Sequence, residues 1–160
     1  VGVQLRGDAW SRSAATTIAA VEFTSQSSWS ARSGLGKGKP EHHLTAAWSG
    51  DSRVYLFRRS STGKGARLEQ LSQDHHNGDG LTACLGSRDA WQAERRTVQI
   101  QPEDLVLLTT DGLHGLPIDL ESMVQALVDK PVQEIAQAVI DTIADQASDN
   151  ATLMVVRQGV

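Results

Sequence analysis

A single cysteine, Cys84, stands in 160 residues, so the chain can form no internal disulfide and no thiolate-based zinc site. That fits a reducing, intracellular setting, and the cytoplasm is the expected compartment. Long apolar runs are missing as well. None approaches the roughly 20 residues that span a bilayer, and Val1-Gly2-Val3-Gln4-Leu5-Arg6-Gly7 lacks the basic start and apolar core of a secretory signal. Neither a membrane anchor nor a signal is expected. Excess positive charge is absent too: 15 Lys plus Arg face 19 Asp plus Glu, a net charge of −4. A nucleic-acid backbone rewards a clustered basic surface, so nucleic acid is not an expected partner. There is no internal repeat and no initiating methionine; the latter reads as a processed, excised or truncated start.

What is present, 39% apolar residues in 160, suits one globular domain spanning residues 1–160. Residues 14–24 are rich in small and β-branched side chains and read as a strand. Residues 25–40 gather Ser, Gly and Lys with almost no aliphatic residue and read as a solvated loop. Two more strands are expected at 44–48 and 53–57, separated by the Ser49-Gly50-Asp51-Ser52 corner, and a short one at 68–71; together they suggest an antiparallel meander. Residues 73–89 are polar and turn-rich, with room for one short regular piece.

Residues 95–100 alternate, and 104–110 form the most apolar strand of the chain. A continuously apolar strand must be covered on both faces, in an antiparallel setting by another sheet on one side and helices on the other. The helices follow at once. Leu120, Met123, Val124, Leu127 and Val128 make one stripe behind an Asp119 cap, and Val132, Ile135, Val139, Ile140 and Ile143 make another, with Pro131 expected in its first turn. Residues 151–156 close the chain as a buried strand. Strands, then two helices, then a strand give the α+β class.

Three aspartates hold special places: Asp51 in the corner between two strands, Asp111 directly after the apolar strand, and Asp149 just before the last one. If the last two strands are antiparallel neighbours, Asp111 and Asp149 meet at one sheet edge. Hard oxygen ligands from separate loops suit Mg(II) or Mn(II), and a two-metal centre can activate water for in-line displacement at phosphorus. The bland alternative is that Asp111-Gly112 is a turn pair and Asp149-Asn150 a helix end.

Other candidates are weaker. The pairs His42-His43 and His75-His76 read as surface histidines, because neighbours on a strand point to opposite faces and cannot easily share one ion. His114 reads as a loop residue near the mouth of the aspartate site. The run Gly34-Leu35-Gly36-Lys37-Gly38-Lys39 lacks P-loop spacing. Arg53 and Arg58 are candidates to face a phosphate. Ser13, Ser49 and Ser72 form no nucleophile elbow, and Cys84 has no neighbouring histidine, which disfavours covalent catalysis. Trp48 reads as core; Trp10, Trp29 and Trp91, in polar contexts, read as marking an interface or as contacting parts of the domain missing from this chain.

Six segments occur in a telling order: Ala14-Ala15-Thr16-Thr17; Ala47-Trp48-Ser49-Gly50-Asp51-Ser52-Arg53-Val54-Tyr55-Leu56; Gln70-Leu71-Ser72-Gln73-Asp74-His75; Leu81-Thr82-Ala83-Cys84-Leu85-Gly86; the apolar strand into Asp111-Gly112-Leu113; and Ser148-Asp149-Asn150-Ala151-Thr152. This set resembles the motifs of the metal-dependent protein phosphatases (the PPM family, type 2C). The resemblance implies an α-β-β-α sandwich of two antiparallel sheets flanked by helices, here lacking its N-terminal elements. It also implies a bacterial-type, Mn(II)- or Mg(II)-dependent protein serine/threonine phosphatase in which a metal-bound water hydrolyses phosphoserine or phosphothreonine. Asp111 and Asp149 match the catalytic metal ligands, and Asp51 matches a residue that helps hold an additional, weaker metal. The implied partner is a phosphorylated protein, such as a serine/threonine kinase or its target.

Departures from the family pattern open a second reading. The upstream Asp-Gly-Met-Gly-Gly segment, whose aspartate bridges two metals, has no counterpart, and Asp8 is the only acid before Ala14. Gly115 stands where a further metal ligand is usual. Residues 74–81 are too few for a flap subdomain. The chain is then either the C-terminal portion of a phosphatase domain or a catalytically inactive binding and regulatory module, unless a partner chain supplies the missing ligand. Two cations held close together need shared negative charge, so weak or no catalysis is expected from the chain as it stands.

Overall fold

The structure, a computed structural model, describes residues 15–27, 40–59, 65–86 and 93–158. In chain order the strands are β1 (Ile18–Ser27), β2 (Pro40–Ser49), β3 (Arg53–Arg58), β4 (Arg67–Gln70), β5 (His76–Asn77), β6 (Gly80–Leu81), β7 (Glu94–Ile100), β8 (Leu105–Thr109) and β9 (Leu153–Arg157). The helices α1 (Asp111–His114), α2 (Leu120–Leu127) and α3 (Val132–Ile143) lie between β8 and β9. Two antiparallel sheets stack, one ordered β1-β2-β7 and the other β4-β3-β8-β9, with β5 and β6 as a small hairpin apart. This is the expected α+β sandwich. Among the described residues the helices flank the four-stranded sheet only.

Alternation along β8 splits the core into two layers. Leu105 and Leu107 face the helices, joining Tyr55, Phe57, Val124, Ile135 and Val139. Val106 and Leu108 face the other sheet, joining Leu44, Trp48, Leu56 and Ile100. A strand buried on both faces has no polar side to show, which is why its sequence is unbroken in apolarity. In α2, Asp119 caps as expected, its carboxylate accepting the Ser122 N–H at 3.0 Å. The Ser122 hydroxyl, 2.6 Å from the carboxylate, and then the same N–H hold the Asp119 carboxyl below the usual range.

Several local expectations are corrected. β2 and β3 do not continue one meander, because the chain changes sheets at the corner between them, where Gly50 takes φ 109°. β1 extends to Ser27 and β2 begins at Pro40, so the ends of the expected 25–40 loop are strand. The rest of that loop, like Trp10, Trp29 and Trp91, lies outside the described residues. Pro131 is the N-cap of α3, with φ −52° and ψ 143°, one position before the first turn. The last strand starts at Leu153 rather than 151.

Asp104 sits buried at the entry to β8, accepting the Gln101 N–H at 2.9 Å with Arg58 Nε 3.9 Å away. Burial pushes its carboxyl up, against the pull of that N–H and of Arg58. A carboxyl raised in the folded state favours the protonated form, so its contribution to stability is full below the unfolded value of about 3.9 and is lost as pH rises through the folded one. Asp104→Asn is therefore expected to raise Tm relative to the parent more at pH 7 than at pH 3.5, as read by thermal unfolding at both. A difference that grows toward low pH would contradict the assignment.

Candidate active-site edge

The sheet register puts the three sequence-marked aspartates at one end of the sandwich. Arg53 pairs with Thr109, and Thr109 pairs with Leu153, so these positions form a line across β3, β8 and β9. Asp51 precedes the line in the corner, Asp111 follows it as the first residue of α1, and Asp149 lies before it in the segment leading into β9. Asp111 and Asp149 are exposed and Asp51 is half-buried.

A hydroxyl latch fixes the two strand ends beyond their ladder. The Thr110 N–H donates to the Thr152 carbonyl at 3.2 Å and the Thr152 N–H donates to Thr110 Oγ1 at 2.9 Å. The Thr110 hydroxyl donates to the Asn150 carbonyl at 3.4 Å. Glycine at 112 is dictated by this closeness, since a Cβ there would lie 2.5 Å from the Asn150 carbonyl oxygen and 2.8 Å from its carbon. The Asp-Gly pair thus does more than turn the chain: it lets the backbone carrying Asp111 touch the backbone carrying Asn150.

Each carboxylate uses one oxygen locally. Asp111 Oδ1 accepts the Gly112 N–H at 2.9 Å and Asp149 Oδ1 accepts the Asn150 N–H at 2.7 Å. Their second oxygens have no hydrogen-bond partner among the described residues. Two exposed, half-engaged carboxylates suit a hard, oxygen-seeking divalent cation. The donor set is partial, however: among the described residues, no three His, Cys, Asp or Glu side chains converge closely enough to hold a metal.

The Asp51 corner is held by two histidines that sequence reasoning placed on the surface or in a plain loop. His75 is buried, its N–H donating to the Gly50 carbonyl at 3.0 Å while its Nδ1 accepts the Gly50 N–H at 3.2 Å. An accepting Nδ1 places the ring proton on Nε2, where Glu94 Oε1 lies 3.2 Å away but outside hydrogen-bonding geometry. His114 closes the other side, its Nε2–H donating to the Asp51 carbonyl at 2.9 Å. Burial, and then the Arg53 charge, hold His114 below its ordinary value, so the neutral Nε2–H tautomer serves that bond near pH 7. The Ser52 and Thr17 hydroxyls share a 2.8 Å bond that ties the corner to the start of β1.

Arg53 faces a carboxylate rather than lying free for phosphate. Its Nε reaches Asp74 Oδ1 at 3.0 Å, its second guanidinium nitrogen reaches Asp74 Oδ2 at 2.7 Å, and its first donates to the Tyr55 hydroxyl at 3.2 Å. Burial pushes the Asp74 carboxyl up, but the Arg53 bonds and charge outweigh it and leave the carboxyl below the usual range. Arg53 itself is raised by the Asp74 bond. The Asp74-His75 pair therefore acts as a two-residue brace, one member on Arg53 and the other on Gly50. The only sequence sign of it was the place of Asp74-His75 inside a matched motif.

The family model described as Stage II sporulation protein E (SpoIIE) matches residues 40–159, three quarters of the chain and the whole of this edge. The chain belongs to the SpoIIE family. No curated protein matches it. Among solved structures, the SpoIIE-family chain resembles PppA, described as a key regulatory component of T6SS in Pseudomonas aeruginosa, with 18% identity and TM-score 0.58 over 78% of this chain and 60% of that one. It resembles the Mycobacterium tuberculosis serine/threonine phosphatase PstP/Ppp with 21% identity and TM-score 0.56, over 78% and 62% of the two chains. Serine/threonine phosphatase Stp1 from Staphylococcus aureus aligns with 17% identity and TM-score 0.60, over 76% and 55%. At such identities the likeness is one of fold, and the fold is that of the type 2C serine/threonine phosphatases. The SpoIIE-family chain spans 55% to 62% of the length of these three proteins. Among the described residues, no helix is long and apolar enough to cross a membrane.

Proposed function

We propose that this domain serves a Mn(II)- or Mg(II)-dependent protein serine/threonine phosphatase, with Asp111 and Asp149 as metal ligands and Asp51 beside them. The observation that carries the reading is the Thr110 latch, which ties together the chain segments that carry two half-engaged carboxylates beyond the ends of adjacent, hydrogen-bonded strands. When bound, a divalent cation there supplies a more acidic water and charge stabilisation for the phosphoryl oxygens. The chain's own residues do the positioning. Asp111 and Asp149 offer the free oxygens, His114 and His75 hold the Asp51 corner against α1, and Asp74 holds Arg53 to that corner. The substrate class is a phosphorylated protein, such as a kinase or a kinase target, and the buried free thiol of Cys84 suits a reducing compartment.

The shortfall in converging ligands among the described residues favours a second reading, a binding module with the same sandwich and no turnover. The two separate in one assay: phosphate release from a phosphothreonine peptide with Mn(II), with and without EDTA. Release that EDTA abolishes supports the phosphatase. Mn(II) binding by calorimetry without release supports the module, and an absence of both overturns the metal assignment.

A further inference from the structure

The aspartate edge adjoins a cavity that neither the fold nor the proposed chemistry explains. It measures about 160 Å³ and lies between β3, β4 and the stretch from α1 to α2. Its lining mixes polar side chains, Arg53, Tyr55 and His114, with apolar ones, Leu68, Leu116 and Ile118 among them. Those three apolar residues are only part-buried. An apolar cavity of about 150 Å³ takes up benzene, so this one has room for a single phenyl ring.

Its place makes it more than a packing defect. His114, in its wall, is the residue whose ring donates to the Asp51 carbonyl at 2.9 Å. It stands three positions after Asp111 on α1, about 4.5 Å along the helix axis at 1.5 Å per residue. An extended peptide advances about 3.3 Å per residue. A chain whose phosphorylated residue lies at Asp111 therefore brings a neighbour roughly one or two positions away to the cavity. The polar part of the lining suits such a peptide. Three of the five guanidinium N–H groups of Arg53 bond to Asp74 and Tyr55. The remaining guanidinium N–H groups and the Tyr55 O–H can donate to a backbone carbonyl beside the inserted ring.

We propose that this cavity is a specificity subsite that receives a phenylalanine side chain one or two residues from the phosphorylated residue of a protein substrate. The inference rests on the phosphatase reading for the location of the phosphate, and its binding readout does not require turnover. Paired phosphothreonine peptides, with Phe or Ala at those offsets on either side, are titrated into the full chain with Mn(II). Methyl NMR shifts of Leu68, Leu116 and Ile118 report occupancy, and phosphate release is measured in parallel. The expected result is about tenfold tighter binding of one Phe peptide over its Ala twin, with shifts at those methyls. The preference should vanish in Leu116→Trp and in Ile118→Trp, each of which fills the cavity from its part-exposed rim; retained Tm identifies the folded variant to be read. Equal binding of all peptides, or a Phe preference that survives in the folded filled variants, overturns the subsite. Phe-selective binding without release supports the subsite while removing the phosphatase reading. Release with no Phe preference does the reverse.

Discussion

Asp111→Asn is expected to weaken Mn(II) binding by about 100-fold and to abolish any metal-dependent phosphate release while leaving Tm nearly unchanged. Loss of an outer-shell partner alone costs about 10- to 100-fold in metal affinity, and a direct ligand should cost no less. The fold, by contrast, has little to lose. Asp111 is exposed, and its one described bond, from the Gly112 N–H, is available to an asparagine oxygen as well. The Thr110 latch that shapes the edge does not involve the Asp111 side chain. Calorimetric titration of Mn(II) into the parent and the variant, with thermal unfolding of both, makes the comparison. Equal Mn(II) affinity in the two would remove Asp111 from the ligand set and leave it as the turn residue its Asp-Gly context also allows.

Phe57→Ala carries the largest expected loss of stability, about 3–5 kcal/mol. Phe57 is fully buried on β3, opposite Leu68 on one side and Leu105 on the other, in the layer between the four-stranded sheet and α2 and α3. Truncation leaves a hole bounded by a sheet and two helices, which cannot close without moving the helices. Against a total stability of about 5–15 kcal/mol for a domain, the loss is a large fraction. At about 2–4 °C per kcal/mol for this chain length, Tm should fall by roughly 6–20 °C. Circular dichroism melts decide it; a fall below about 3 °C would mean that the helical layer is not packed on this face.

The sequence spoke clearly where one physical demand dominated and poorly where two competed. The apolar run of β8 has a single cause, burial on both faces, and the stripes of α2 and α3 have a single cause, one buried face; all three elements were readable. The corner at Ser49 to Ser52 was not, because a tight Gly-Asp turn looks alike whether the chain reverses within one sheet or passes to the next. Only tertiary packing, with Leu44 and Trp48 facing Val54 and Leu56 across a core, distinguishes them. His75 was misread for a similar reason: a histidine beside a second histidine and a string of polar residues gives no hint that Gly50 offers it both an N–H and a carbonyl. The three candidate aspartates could be placed in sequence, since each lies within four residues of a strand end. The bracing of the Asp51 corner by His75, His114 and Asp74 depends on contacts between segments 21 to 63 residues apart, which no local pattern encodes.

The latch between Thr110 and residues 150 and 152 divides the edge into a stiff part and an adjustable part. Asp111 and Asp149 ride on backbones joined by main-chain and hydroxyl bonds, so their spacing is a property of the ladder and survives exchange of most neighbouring side chains. Among the described residues, Asp51 is tethered to α1 through one imidazole. Changes at position 114, or in the corner itself, can therefore retune the reach and charge on that flank while the paired carboxylates stay in place. An edge built this way can diversify in what it recognises without rebuilding the strands that carry it.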